Sequence, residues 1–362
     1  MVSARVPALR RIIASRWFKL LLSAGLLALL LHKTDWREMR AAVAEADLTW
    51  LFLAVVAMVA SQVVSTYRWA LLARAVGFVA PFRHYLLYYF SGMYLNLFGP
   101  GTIAGDVGRV VFLAGGGRRA LALTTVVAHR AIGFVALVWV AAAAVVVLPD
   151  EPLPGIFRWL AAVAVPATIA AWLWGPRLMA RLLPRTNNWR VLVERDLAPY
   201  WHDRPLLIIS LGWATAVHAL QITAQMLVAH ALGLQLPWAF FLVVVPLVNV
   251  AGTLPFSLQG VGVREAGYWY YLAQIGVQRE AALAVGLLTS VTVLASSLTG
   301  LPAFLMVRQA KSLPGSDTPL EGAAPSAPGG AVVGHGTNSA GGAKPPASRL
   351  GADGAAPSRR LP

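Results

Sequence analysis

Asp106, Arg109, Arg130, Arg264 and Glu265 are charged residues set inside otherwise apolar sequence. A charge within lipid is expensive, so such residues face a bundle interior or a water-filled path. Four of the five follow interruptions by glycine and proline. The first interrupted stretch is Tyr94-Leu-Asn-Leu-Phe-Gly-Pro-Gly-Thr-Ile-Ala-Gly-Asp-Val-Gly-Arg109; the second is Leu254-Pro-Phe-Ser-Leu-Gln-Gly-Val-Gly-Val-Arg-Glu265. The breaks are assigned to Asn96, Pro100 and Gly105 in the first stretch and to Pro255, Gly260 and Gly262 in the second. Asp106 and Arg109 stand at i and i+3, share a helix face and can pair. They either only stabilise their own segment or form a polar site for a headgroup. Thr102 stands at the N-cap of that segment, and a helix N-terminus suits an anion such as phosphate. Gly260 and Gly262 allow a tight turn whose N–H groups make an anion-binding concavity. Neighbouring residues on a helix point about 100° apart. Arg264 and Glu265 therefore do not simply neutralise each other, and one of them faces another element.

Arg130 lies about ten residues into a long apolar run, near mid-depth by the helical rise. It requires a carboxylate or phosphate partner, and Asp106 and Glu265 are the candidates. His129 reads as a structural hydrogen-bonding residue. His218, Gln221 and Gln225 form a polar stripe suited to hydrogen bonds between helices. Asn96 and Asn249 each precede a break and are placed to satisfy freed backbone groups.

Helices must position these groups. The chain has 362 residues, of which 58% are hydrophobic and only 12% charged, against about 25% charged in a soluble domain. Several runs reach the roughly 20 apolar residues that a span needs. The pattern predicts spans over 17–31, 50–67, 120–148, 156–174, 206–234 and 281–307, with an amphipathic surface helix within 34–47. Arg68 and Arg74 are expected at the cytoplasmic end of the second span. Residues 85–98 and 103–114 are each too short for a core of about 30 Å, so 85–114 is expected to be a re-entrant hairpin from the inside. Residues 240–275 make the corresponding hairpin from the outside. The expected fold is thus an all-α polytopic membrane protein of about six full spans plus two re-entrant helical hairpins in an inverted repeat. A simple count gives eight spans. Broken helices at corresponding places in two halves point to a transporter's binding site. Trp50, Trp69, Trp159, Trp174 and Trp238 fall near expected span ends, as an interfacial belt requires.

The net charge of +15 could suggest nucleic acid, but the Lys and Arg residues cluster in particular loops, as the positive-inside rule describes. That places the N- and C-termini in the cytoplasm. The chain has no Cys, which excludes disulfides and thiolate metal sites. The His residues are not spaced as a ligand set, so no metal is expected. There is no phosphate loop, and no cofactor is expected. Residues 1–311 form the integral membrane domain. Residues 312–362 are rich in Gly, Ala, Pro and Ser and read as a disordered cytoplasmic tail.

Four segments carry a family resemblance: Tyr67-Arg-Trp-Ala-Leu-Leu72; Asn96 to Arg109 with Pro100 and Gly105-Asp106-x-x-Arg109; His129-Arg130-x-x-Gly133; and Pro255-Phe-Ser-x-x-Gly-x-Gly-Val-Arg-Glu-Ala266. Together they resemble the flippase-like family named for the transmembrane region of lysylphosphatidylglycerol synthases, over roughly residues 50–308. Where the family typically has Gly-Gly-Asp this chain has Ala104-Gly105-Asp106, and where it often has an acid before the Arg of the third motif this chain has His129. The resemblance implies a module that moves lipids between leaflets. It does not carry over the aminoacyltransferase domain that follows this module in some members, so the chain is not expected to be that enzyme.

The expected function is an inner-membrane lipid flippase or scramblase acting on an anionic or zwitterionic headgroup. Asp106, Arg109, Arg130, Arg264 and Glu265 are its substrate-binding residues. The rivals are a non-transporting membrane partner of a lipid synthase or glycosyltransferase, and a membrane-embedded lipid-modifying enzyme. No nucleic-acid partner is expected.

Overall fold

The computed structural model describes Gly25, Ala28, His32 and residues 34–99, 102–115, 117–147, 155–182, 192–253, 260 and 262–312. The chain divides into a unit of residues 1–322 and a second of residues 323–362; the latter, with the expected tail beyond Ser312, lies outside the described residues. So do Pro100 and Pro255 and all but two residues of the expected first span.

Within the described residues the regular structure is helical. In chain order the helices are α1 (Trp36–Ala44), α2 (Leu48–Ala75), α3 (Phe82–Asn96), α4 (Ile103–Ala114), α5 (Arg119–Val147), α6 (Gly155–Leu182), α7 (Ala198–His202), α8 (Arg204–Ala231), α9 (Trp238–Thr253), α10 (Val263–Ala273), α11 (Arg279–Leu298) and α12 (Leu301–Ser312). A π-helical turn, Leu192–Asp196, precedes α7. Helices α2, α5, α8 and the joined α11–α12 are long and apolar enough to cross a membrane, and shorter apolar stretches lie in α6 and α9. The chain is an integral membrane protein.

Helix starts follow the local chemistry. Asp35 caps α1 by accepting from Arg37 N at 2.8 Å, Asp47 caps α2 through Thr49 N at 2.7 Å, and Asp203 caps α8 through Leu206 N at 2.9 Å. A carboxylate there satisfies a free N–H and favours the helix dipole. Gly262, at φ +85°, opens α10 with a backbone conformation open to glycine at little cost.

Two groups of four helices, α2–α5 and α8–α11, share one neighbour pattern. In each, the first helix touches the second and fourth, the second packs on the third, and the third on the fourth. The groups meet along α2 and α8. Asp47 N donates to Ala231 O at 2.9 Å at one end, and the Tyr200 hydroxyl donates to Leu72 O at 2.9 Å near the other, so α2 and α8 run antiparallel. Small residues such as Ala54, Ala73, Ala214 and Ala224 are buried on these two helices, as close approach of helices in lipid requires. Buried cores flank them: Trp69, Tyr85 and Tyr89 in one group, Phe241, Tyr268 and Leu272 in the other.

Four expectations change. Gly105 is not part of the first break but the third residue of α4. A Cβ there would collide with the Gly92 carbonyl and lie 2.6 Å from Asn96 Oδ1, so the glycine lets α4 seat against α3. The second span does not stop at Tyr67 but continues to Ala75, carrying Arg68 into the buried interior. The expected last span is two helices joined at Thr299–Gly300, where Gly300 lies against the Phe90 carbonyl of α3. Trp69 does not belong to the exposed belt: it is completely buried and donates Nε1–H to Thr125 Oγ1 at 3.0 Å. The indole needs a polar partner once inside, and Thr125 supplies it. Trp159, Trp174 and Trp238 are exposed.

Candidate functional site

A cavity of about 530 Å³ lies between the two helix groups and draws its lining from both. From the first group come Gln62, Ser65 and Arg68 of α2, Tyr89 and Asn96 of α3, Asp106 and Arg109 of α4, and His129 and Arg130 of α5. From the second come His218, Gln221 and Gln225 of α8, Asn249 of α9, Arg264 of α10 and Thr289 of α11. Four of the five expected charged residues line one space, and the fifth, Glu265, follows Arg264 in α10.

The first break delivers its charges through packing. Asn96 ends α3, and its Oδ1 accepts from Gly105 N at 2.6 Å, satisfying a donor that the start of α4 leaves free. The expected role of Asn96 is borne out. Thr102 occupies the N-cap position, yet its side chain makes no capping bond; Asn96 does that work from the facing helix. One turn on, Asp106 accepts from Arg109 Nη2 through Oδ1. Arg130 reaches across from α5 and grips the same carboxylate, Nε to Oδ2 at 3.0 Å and Nη2 to Oδ1 at 2.9 Å. Arg130 has thereby found one of its two candidate partners. Its side chain remains 42% exposed, whereas that of Arg109 is 5% exposed. The Arg109 guanidinium lies 4.8 Å from the Tyr89 ring centre and 5.5 Å from that of Trp69, and the two rings fix its plane.

The second break is built differently. Glu265 is fully buried. Its Oε2 accepts from Gly262 N at 2.6 Å, and its Oε1 from the Ser290 hydroxyl at 2.6 Å. Arg264 Nη1 donates to Ser290 Oγ at 3.0 Å and lines the cavity. The two neighbours are thus linked through a serine of α11. Gly286 of α11 leaves room for this: a Cβ there would lie 2.7 Å from the Glu265 Cα.

His129 makes the structural contacts expected of it. Its Nε2 lies 2.9 Å from Arg68 Nη2 and 3.2 Å from Ser65 Oγ. His218 Nε2 bonds the Gly133 carbonyl at 2.9 Å, and Gln225 Oε1 accepts from the Tyr268 hydroxyl, so the polar stripe of α8 does join helices. Asn249 lines the cavity.

The residue that sequence reasoning missed is Arg68. It is 4% exposed and lines the cavity, and its Nη2 also donates to the His129 carbonyl at 3.2 Å. Among the described residues its Nε and Nη1 have no hydrogen-bond partner, nor does Arg109 Nη1. A signal was available. Ser61, Ser65 and Arg68 recur at i, i+4 and i+7 and so share one face of an apolar helix.

Four guanidinium groups therefore border the cavity, with Asp106 as the one carboxylate in the described lining and Glu265 held just behind. The balance is positive. The arrangement can bind an anion through charge-assisted hydrogen bonds. Residues 16–300 match the family model described as the lysylphosphatidylglycerol synthase TM region. No curated protein matches the chain.

Proposed function

Because this chain belongs to the lysylphosphatidylglycerol synthase transmembrane-region family, we propose that it is a flippase- or scramblase-like transporter. It moves a phospholipid or lipid-linked headgroup between the leaflets of the inner membrane. The observation that carries this reading is the arginine-rich cavity shared by two helix groups. A space bordered by buried cations inside an apolar bundle is a place for a headgroup phosphate, while acyl chains stay in lipid. In this reading α3–α4 and α9–α10 are the two re-entrant hairpins, and the groups α2–α5 and α8–α11 are halves of an inverted repeat. The shared neighbour pattern and the antiparallel course of α2 and α8 support that arrangement. Both termini lie in the cytoplasm. The partners are the lipid and the synthase or glycosyltransferase that builds its headgroup.

Transport is favoured over catalysis by the chemistry of the one Ser–His contact in the described lining. Ser65 Oγ lies 3.2 Å from His129 Nε2, but Arg68 Nη2 donates to the same nitrogen at 2.9 Å. The lone pair that a general base would use is engaged. Ser65 Oγ is itself 2.8 Å from the Tyr89 hydroxyl.

The test is leaflet exchange of labelled phosphatidylglycerol in proteoliposomes, with Asp106→Asn and Arg264→Ala alongside. Exchange by the wild type that both variants lose is the expected result. Exchange no faster than in protein-free vesicles, for several anionic lipids and protein shown to be folded, would sink the proposal.

A further inference from the structure

We propose that the cavity selects headgroups of net negative charge, held through a phosphate monoester or diester among Arg68, Arg109 and Arg130, and disfavours aminoacylated, cationic headgroups. This rests on the transporter reading above and narrows its substrate class.

Three observations carry it. The first is the set of unused donors. Arg68 Nε and Nη1 and Arg109 Nη1 are buried without a hydrogen-bond partner among the described residues, on side chains that line the cavity. Buried polar atoms are nearly always satisfied, and a buried cation left without a counter-charge is costly. A bound anion removes both penalties together. The second is the state of the carboxylates. A cationic headgroup needs an acceptor, yet Asp106 already receives Arg109 on Oδ1 and Arg130 on both oxygens. Glu265 is sealed behind Gly262 N and Ser290 Oγ. An ammonium group entering the described lining finds guanidinium groups and no uncommitted carboxylate.

The third is the partner of Arg68. Its Nη2 rests on the ring nitrogen and the backbone carbonyl of His129, which orient it without neutralising it. Histidine at position 129 brings no negative charge to the neighbouring arginines, and the site keeps its positive excess. Arg130, the most exposed of the three arginines, stands open to an incoming phosphate while it holds Asp106.

The experiment is competition against fluorescent phosphatidylglycerol bound to the full chain in detergent. The competitors are phosphatidylglycerol, a polyprenyl phosphate, lysyl-phosphatidylglycerol and water-soluble glycerophosphoglycerol. Leaflet exchange of the same lipids is run in parallel. The two anionic lipids are expected to displace the probe at concentrations at least tenfold below lysyl-phosphatidylglycerol. Arg68→Gln is expected to shrink that gap to less than threefold, and Arg68→Lys to restore part of it. If Arg68→Gln fails to fold, His129→Glu serves instead; added negative charge should weaken anionic lipids and favour the lysyl form. Equal or tighter binding of lysyl-phosphatidylglycerol overturns the inference whether or not exchange occurs, as does the absence of displacement by either anionic lipid. Displacement by glycerophosphoglycerol as effective as by the lipid overturns the assignment to a lipid and leaves a site for a free anion. Selective binding without leaflet exchange supports the inference and overturns the transporter reading.

Discussion

Asp106 and Glu265 occupy similar sequence positions, each following glycines early in a short helix after a break, but they do different work. Asp106 is 23% exposed in its side chain, faces the cavity and is shared by arginines from two helices. Glu265 has no exposure and is consumed by the turn that starts α10 and by Ser290 of α11. The difference teaches that an acid beside an arginine in an apolar segment is not by itself a binding group. One half of the molecule uses its carboxylate as a counter-ion in the site, and the other uses it as a clamp that places Arg264 there.

Removing the clamp should have the largest consequence. Glu265→Ala leaves the Gly262 N–H unsatisfied and an arginine without its neighbouring charge, at a cost of about 3–5 kcal/mol. Thermal unfolding in detergent should show a large fall in midpoint. A midpoint within a degree of wild type would erase the distinction drawn between the two acids.

Close packing sets the next effect. Gly286→Ala presses a Cβ towards the Glu265 backbone, and Gly105→Ala drives one into the Gly92 carbonyl. Each should destabilise by about 1–3 kcal/mol, measured in the same assay. Unchanged stability in Gly105→Ala would show that α4 is not seated tightly on α3.

The counter-ion should behave oppositely to the clamp. Asp106→Asn keeps the shape but loses the charge gripped by Arg130, and lipid exchange should fall at least tenfold, about 1.4 kcal/mol. The midpoint should move much less than in Glu265→Ala. A larger stability loss in Asp106→Asn than in Glu265→Ala would reverse the assignment of roles.

The smallest effect lies where the two groups meet, at the start of α2. Backbone bonding to Thr49 N holds the Asp47 carboxyl below its ordinary value. A folded value lowered in this way contributes stability above the unfolded carboxyl value, about 3.9, and loses it as pH falls through the folded value. Asp47→Asn should therefore lower the unfolding midpoint slightly at pH 7, and the difference should shrink on acidification below about pH 4. A difference independent of pH would remove the charge from the cap's account.

Much of the fold was legible. Apolar runs gave α5 and α8 nearly to their ends, and the interruption at 99–101 separated α3 from α4, because glycine and proline act locally. The cation of Arg130 and the need for a partner at depth were readable from hydropathy alone, and Asp106 answers that need. Arg68 was not recovered, because an arginine just after an apolar run looks like a span end until the helix is known to continue to Ala75. Trp69 was misplaced for the same reason. Thr102 looked like a cap because threonine favours that position, but only the approach of Asn96 decided which side chain satisfies the backbone.

By itself the sequence determined that this is a helical membrane protein with charges buried at two breaks. Hydropathy and helical spacing depend on nearest neighbours along the chain, and these are written in it. The tertiary structure alone decided which charges face one another. The antiparallel packing of α2 and α8 brings α4, α5 and α10 around one cavity, and pairing across it depends on distances between residues far apart in sequence. It left Arg68 inside without an acid among the described residues, made Asp106 a shared counter-ion and turned Glu265 into a clamp.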